Sequence, residues 1–107
     1  MAVSSKDNSQ QCISAIKSAI RAALGTVGQR AVGYAQSTVP VDTGALRDSI
    51  DYEATENQVT IYADTPYASY VELGTSRQAA NPYLKPSVTD HTDEYVEVIR
   101  NSVSGIL

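Results

Sequence analysis

Ile50-Asp51-Tyr52-Glu53-Ala54-Thr55-Glu56-Asn57-Gln58-Val59-Thr60-Ile61-Tyr62-Ala63 is the stretch that decides the fold class. Ile50, Tyr52 and Ala54 alternate with Asp51, Glu53 and Thr55, and Val59, Ile61 and Ala63 alternate with Thr60, Tyr62 and Asp64. Period-two alternation marks a strand with one buried face, and Glu56-Asn57-Gln58 is a polar turn between two such runs, so the stretch reads as a β-hairpin. Upstream the period changes. Ile13, Ile16, Ile20, Leu24, Val27, Ala31 and Tyr34 recur every three or four residues, which makes one apolar stripe on a helix over roughly residues 8–38. Asp7, Asn8 or Ser9 is placed to cap it. Pro40 stops it, because the residue before proline avoids helical geometry. Gly25, Gly28 and Gly33 lie inside the stripe region. They mark either a weakened or bent second half or a close approach by another element or subunit.

Between helix and hairpin, Val41-Asp42-Thr43-Gly44 forms a turn, with Asp42 or Thr43 capping a short helical turn around Ala45 to Arg47. Downstream, Pro66 closes the second strand. Residues 67–73 read as a short helix, with a third strand as the alternative, and Gly74 ends it. Thr75 to Asn81 is a polar loop carrying Arg77, expected to be mobile in the isolated protein. Pro82, Leu84 and Pro86 read as an extended connector into a final helix from about Pro86 to Ser104. Val88, Thr92, Tyr95, Ile99 and Val103 share one face of that helix, Asp90, Asp93, Glu94 and Glu97 lie mostly on the other, and Gly105 is the stop. The expected architecture is α+β: a long N-terminal and a C-terminal helix packed on a small antiparallel sheet built around the hairpin. It forms a single domain over residues 1–107, with a flexible arm at 1–7. Ile16, Ile20, Leu24, Ile50, Ile61, Val71, Tyr95 and Ile99 are the expected core.

Composition narrows function. With 8 Lys and Arg against 12 Asp and Glu in 107 residues, the net charge is −4, which disfavours broad non-specific binding to nucleic acid or anionic membrane. The hydrophobic share of 42% and charged share of 19% belong to a globular chain. No apolar run approaches the ~20 residues of a membrane span, and the polar start lacks the order of a signal peptide. A single cysteine, Cys12, excludes an intrachain disulfide and reads as a small semi-buried hydrophobe; a single histidine, His91, leaves little for a zinc site and reads as a surface residue. The acids of the last helix read as a solvated face, since helical spacing does not wrap oxygens around an ion. No phosphate loop and no Ser/His/Asp set is present. Asp42-Thr43-Gly44 matches the loop of aspartic proteases, which are about this long when dimeric and share a proton between two aspartates. That loop should follow an apolar strand in a nearly all-β chain, and here it follows Ser37-Thr38-Val39-Pro40-Val41 after a helix. The residues therefore assign no catalytic, cofactor-binding or metal-binding role.

Two segments carry a family likeness. One is Val39-Pro40-Val41-Asp42-Thr43-Gly44-Ala45-Leu46-Arg47-Asp48-Ser49-Ile50. The other is Tyr67-Ala68-Ser69-Tyr70-Val71-Glu72-Leu73-Gly74-Thr75-Ser76, followed by Asn81-Pro82-Tyr83-Leu84-Lys85-Pro86. In this order, after a long helix and with a hairpin between them, they resemble the tail-component family of long-tailed bacteriophages, over roughly Gln10 to Arg100. Lys85, Tyr83 and Ser87 stand where that family more often has arginine, phenylalanine and alanine. The resemblance implies a virion structural protein acting in tail completion or head–tail joining, assembled in the bacterial host cytoplasm into the tail or neck. Its own subunits would form a ring, of six copies, between the head connector or stopper protein and the tail tube or tail terminator protein. DNA would pass through without sequence-specific binding, and no membrane or cofactor is involved. On this reading Pro40, Asp42, Thr43 and Gly44 fix the turn into the hairpin, and Tyr67, Val71 and Glu72 anchor the short element. Arg77, Glu72, Tyr70, Tyr83 and Lys85 are interface candidates. Glu72 is expected to be tied by backbone amides or by Arg77 or Arg47. The alternatives are a tail terminator or minor head protein of the same virion, or a dimeric aspartic protease using Asp42.

Overall fold

The computed structural model describes residues 5–39, 44–65, 68–74 and 82–106. The elements in chain order are α1 (Ser5–Thr38), α2 (Gly44–Asp48), β1 (Ile50–Ala54), β2 (Val59–Ala63), α3 (Ala68–Leu73), α4 (Leu84–Thr89) and α5 (Thr92–Ser104). Among the described residues the fold is α+β: α1 packs on a two-stranded antiparallel sheet, and α5 packs along α1 rather than on the strands. Pro40, Asp42, Thr43, Tyr67 and Arg77 lie outside the described residues, as does the expected mobile loop 75–81.

The hairpin is as the alternation requires. Ile50 pairs with Ala63, Tyr52 with Ile61 and Ala54 with Val59, so the apolar sets of both strands fall on one face. Asp51, Glu53, Thr60 and Tyr62 face out. Thr55 closes the turn: its N–H donates to Gln58 O at 2.8 Å, and its hydroxyl oxygen accepts from the N–H of Gln58 at 3.2 Å.

The inner face of the hairpin lies on the second half of α1. Ala35, Val39, Leu46, Ile50, Ala68 and Tyr83 form one buried cluster; Val27, Ala31 and Tyr95 form a second, and Ile61 packs against both. Small residues set the distance of approach. A Cβ on Gly28 would sit 2.3 Å from Tyr52 Cδ2, whereas one on Gly25 or Gly33 would meet nothing within 4 Å. Gly28 is therefore a close approach between α1 and β1, and α1 runs through all three glycines without interruption.

Two expectations need correction, and one open alternative closes. Helix α1 begins at Ser5, so Asp7, Asn8 and Ser9 lie inside it, not at its cap. The segment at 68–73 is the helix expected and not the alternative strand, and Gly74 ends it as expected, at φ 80°, a left-handed conformation that glycine adopts without steric cost. The single final helix is two. Leu84 and Pro86 belong to α4 instead of an extended connector, the chain turns at Asp90 and His91, and α5 starts at Thr92. Thr89-Asp90-His91-Thr92 is a run of weak helix formers. His91 leaves helical geometry (φ −126°, ψ 23°) while Asp90 N–H still reaches Pro86 O at 3.0 Å. The break takes Val88 and Thr92 off the shared face: both are exposed, while Tyr95 is buried. Gly105 does cap α5, but in right-handed geometry.

The expected core is right in the body and wrong along the first half of α1. Leu24, Ile50 and Tyr95 are buried, Ile61, Val71 and Ile99 are half-buried, and Ile16 and Ile20 keep part of their surface open. Ile13 is 46% exposed. The molecule measures 70 × 23 × 22 Å with a radius of gyration of 18.3 Å, against about 13 Å for a compact chain of this size. The first turns of α1 project from the body. Among the described residues no helix is long and apolar enough to cross a membrane.

Candidate functional site

The densest polar arrangement lies where α3 meets α4. Glu72, on the last turn of α3, accepts N–H bonds from Tyr83 (2.9 Å) and Leu84 (2.8 Å) through Oε1, and from Lys85 (3.1 Å) through Oε2. A helix start leaves four backbone N–H groups without partners inside the helix. In α4 those positions are Tyr83, Leu84, Lys85 and Pro86; Glu72 takes the first three, and proline has no N–H to satisfy. Tyr83 at the cap position makes no side-chain cap bond, so the cap comes from another helix. Burial is the largest single influence on the Glu72 carboxyl and pushes its pKa up. The three amides and the nearby Lys85 charge outweigh it, and the net shift is downward. Backbone amides thus hold Glu72, the first of the two arrangements expected for it.

Tyr83 is fully buried, and its hydroxyl donates to Ala68 O at 3.3 Å. This corrects its place among interface candidates: Tyr83 has no surface to offer and instead pins the base of α3 to the start of α4. Lys85 is exposed. The Tyr70 side chain, like Arg77, lies outside the described residues, and Gly44 opens α2.

Beside this clasp is an open apolar groove of about 320 Å³. Ile61, Ala63, Ala68, Leu73 and Leu84 line it, with Glu72 at its polar edge. Leu73 stands 76% exposed at the rim and Tyr62 is exposed beside it.

A second polar cluster joins α1 to α5. Tyr34 Oη donates to Glu94 Oε1 at 2.5 Å, Arg30 Nη1 lies 3.1 Å from Glu94 Oε2, and the His91 ring stacks on Tyr34 with centroids 3.6 Å apart. The Tyr34 hydrogen bond, then the Arg30 contacts against a burial cost, hold the Glu94 carboxyl below its usual range. The same bond raises the Tyr34 phenol. Burial is the main reason Tyr95, which donates to Ser87 O at 2.5 Å, is pushed up to about 12. Asp90, Asp93 and Glu97 are exposed as expected, but Glu94 is a structural partner and His91 is a stacking residue. Nothing local in the sequence signals this cluster, since Tyr34 and Glu94 are 60 residues apart. Cys12 is exposed, not semi-buried. Among the described residues no group of His, Cys, Asp and Glu is placed to hold a metal ion.

A small α+β domain that clasps its own chain and leaves an apolar groove and a bare helix half at its surface has the features of an assembly component. Residues 7–74, more than half of the chain, match the family described as "Bacteriophage HK97-gp10, putative tail-component". The chain belongs to that family, which makes it a structural component of phage tails. The match takes in α1 from Asp7 onward, α2, the hairpin and α3 up to Gly74, and so contains the Val39–Ile50 segment whole. No curated protein and no solved structure matches the chain.

Proposed function

We infer that the chain is a tail-completion or head–tail joining protein: copies form a ring of six between the head connector or stopper protein and the tail tube or tail terminator protein. DNA passes through that ring without being read, and the protein has no enzymatic role. Beyond family membership, the observation that carries this reading is the uncovered half of α1. Its apolar stripe continues past the body that covers the rest, and a chain that repeats in a ring presents the same surface to each neighbour. The mainly helical fold with two described strands also differs from the nearly all-β frame that a protease based on Asp42 would need.

The test is a null mutation in the phage that encodes the chain. Filled heads and complete tails that fail to join are the expected products. Tails of abnormal length would assign the tail terminator role instead, and unfilled or missing heads a minor head protein. Deleting Ser76 to Ala80 tests the loop separately, with normal yield of infectious particles as the result that removes it from the joint.

A further inference from the structure

The charges of this chain are segregated along its length. From Ser5 to Thr38, α1 carries Lys6, Lys17, Arg21 and Arg30 against a single acid, Asp7. From Ile50 to Thr65, the hairpin carries Asp51, Glu53, Glu56 and Asp64 and no Lys or Arg. Arg30 is satisfied within the molecule by Glu94. Lys17 and Arg21 are exposed on the projecting half of α1, along one side of the stripe formed by Ile13, Ile16 and Ile20. Asp51 and Glu53 are exposed on the outer face of β1, and Asp51 sits opposite Tyr62 at the rim of the apolar groove.

We propose that the projecting half of α1 docks in the groove between β2, α3 and α4 of a second copy. This rests on the ring reading, and it names the surfaces that build the ring. Ile13, Ile16 and Ile20 meet Ile61, Leu73 and Leu84, while Lys17 and Arg21 lie against Asp51 and Glu53 of the neighbour. Arm and groove are different surfaces, so the contact is head-to-tail, the kind that closes into a ring when the rotation per copy allows. Pairing of two projecting arms with each other would bury the same isoleucines. It would also set Lys17 and Arg21 of each copy on one seam where Asp7 is the arm's single acid, whereas the hairpin offers Asp51, Glu53, Glu56 and Asp64, so the charge pattern favours the acidic hairpin.

The test mixes two full-length variants, both carrying Cys12→Ser, one with Ile16→Cys and the other with Leu73→Cys, and oxidises them at low salt. The expected product is a disulfide-linked pair containing one copy of each variant, lost when Lys17→Glu and Arg21→Glu are added to the first or Asp51→Lys and Glu53→Lys to the second. When both reversed chains are mixed, the crosslink returns. A dominant Ile16→Cys homodimer, no crosslink in any mixture, or no rescue by the double reversal overturns the proposal; circular dichroism of each variant confirms that it is folded. The two readings fail separately. Normal joining of heads to tails by variants that lack the crosslink removes this contact alone. A clean crosslink in a protein dispensable for joining removes the head–tail role and leaves the contact standing.

Discussion

The two halves of α1 have the same apolar period and different surroundings. From Ala23 to Val39 the stripe is built largely of small residues, with Ala31 and Ala35 completely buried and Gly28 against the Tyr52 ring. From Ile13 to Ile20 it is built of isoleucine and is left partly or largely open. Small side chains let the hairpin and α5 approach the helix axis, which fixes the body around the second half. Large side chains on the first half instead offer apolar area to whatever arrives, each worth roughly 1.5–3 kcal/mol when fully covered. The period shows that a stripe exists, and the size of its residues separates the part already packed from the part still available.

The strongest way to break this comparison is to overpack one half and truncate the other. Ala31→Leu should destabilise the isolated chain by about 3 kcal/mol, because Ala31 is completely buried and the added methyl groups must displace its neighbours. Ile16→Ala should change it by less than about 1 kcal/mol. Chemical denaturation of both variants measures the contrast, and equal losses would mean that the two halves are packed alike.

The next effect concerns the clasp. Glu72→Ala should cost about 2 kcal/mol, because three N–H groups at the start of α4 lose their acceptor. The pH dependence has a definite sign. The folded carboxyl titrates below its unfolded value, so its contribution is complete above the unfolded pKa and is lost as pH falls through the folded one. Acid titration of stability should therefore be shallower in Glu72→Ala than in the wild type below about pH 4.5.

The glycines give a smaller and sharper contrast. Gly25→Ala and Gly33→Ala should each stabilise by about 0.5–1 kcal/mol, since alanine is the better helix former and a Cβ there meets nothing. Gly28→Ala should destabilise, because its Cβ falls on the base of the Tyr52 ring, which must move. Thermal melts of the three variants should differ in sign. Smallest of all, Tyr83→Phe should cost about 0.5 kcal/mol, as it removes one long hydrogen bond and keeps the ring.

These contrasts also mark what was legible in the sequence. The hairpin was, because two period-two runs joined by a short polar turn read as little else; which residues pair across it came from the structure. So was the stop at Gly74, where only a left-handed residue continues the chain without strain. The break at Asp90 and His91 was not: the apolar spacing carries straight across it, and weak propensity in four residues decides nothing until tertiary contacts such as the Tyr34–His91 stack are known. Glu72 was singled out as an acid flanked by apolar residues that needed a partner. That its amides belong to residues 83–85 depends on how the chain returns after Gly74, which no local pattern encodes. Tyr83 was misassigned to an interface for the same reason, since tyrosine suits both half-wet surfaces and buried sites with a carbonyl in reach.

The central claim is that the first half of α1 is bare in the free chain and covered on assembly, and amide hydrogen exchange along α1 tests it directly. In the monomer, amides from Cys12 to Ile20 should exchange much faster than those from Leu24 to Ala35. On self-association, protection should appear in the first half together with β2 and α3. Equal protection of both halves in the monomer, or an associated state in which residues 12–20 exchange as fast as before, would contradict the account.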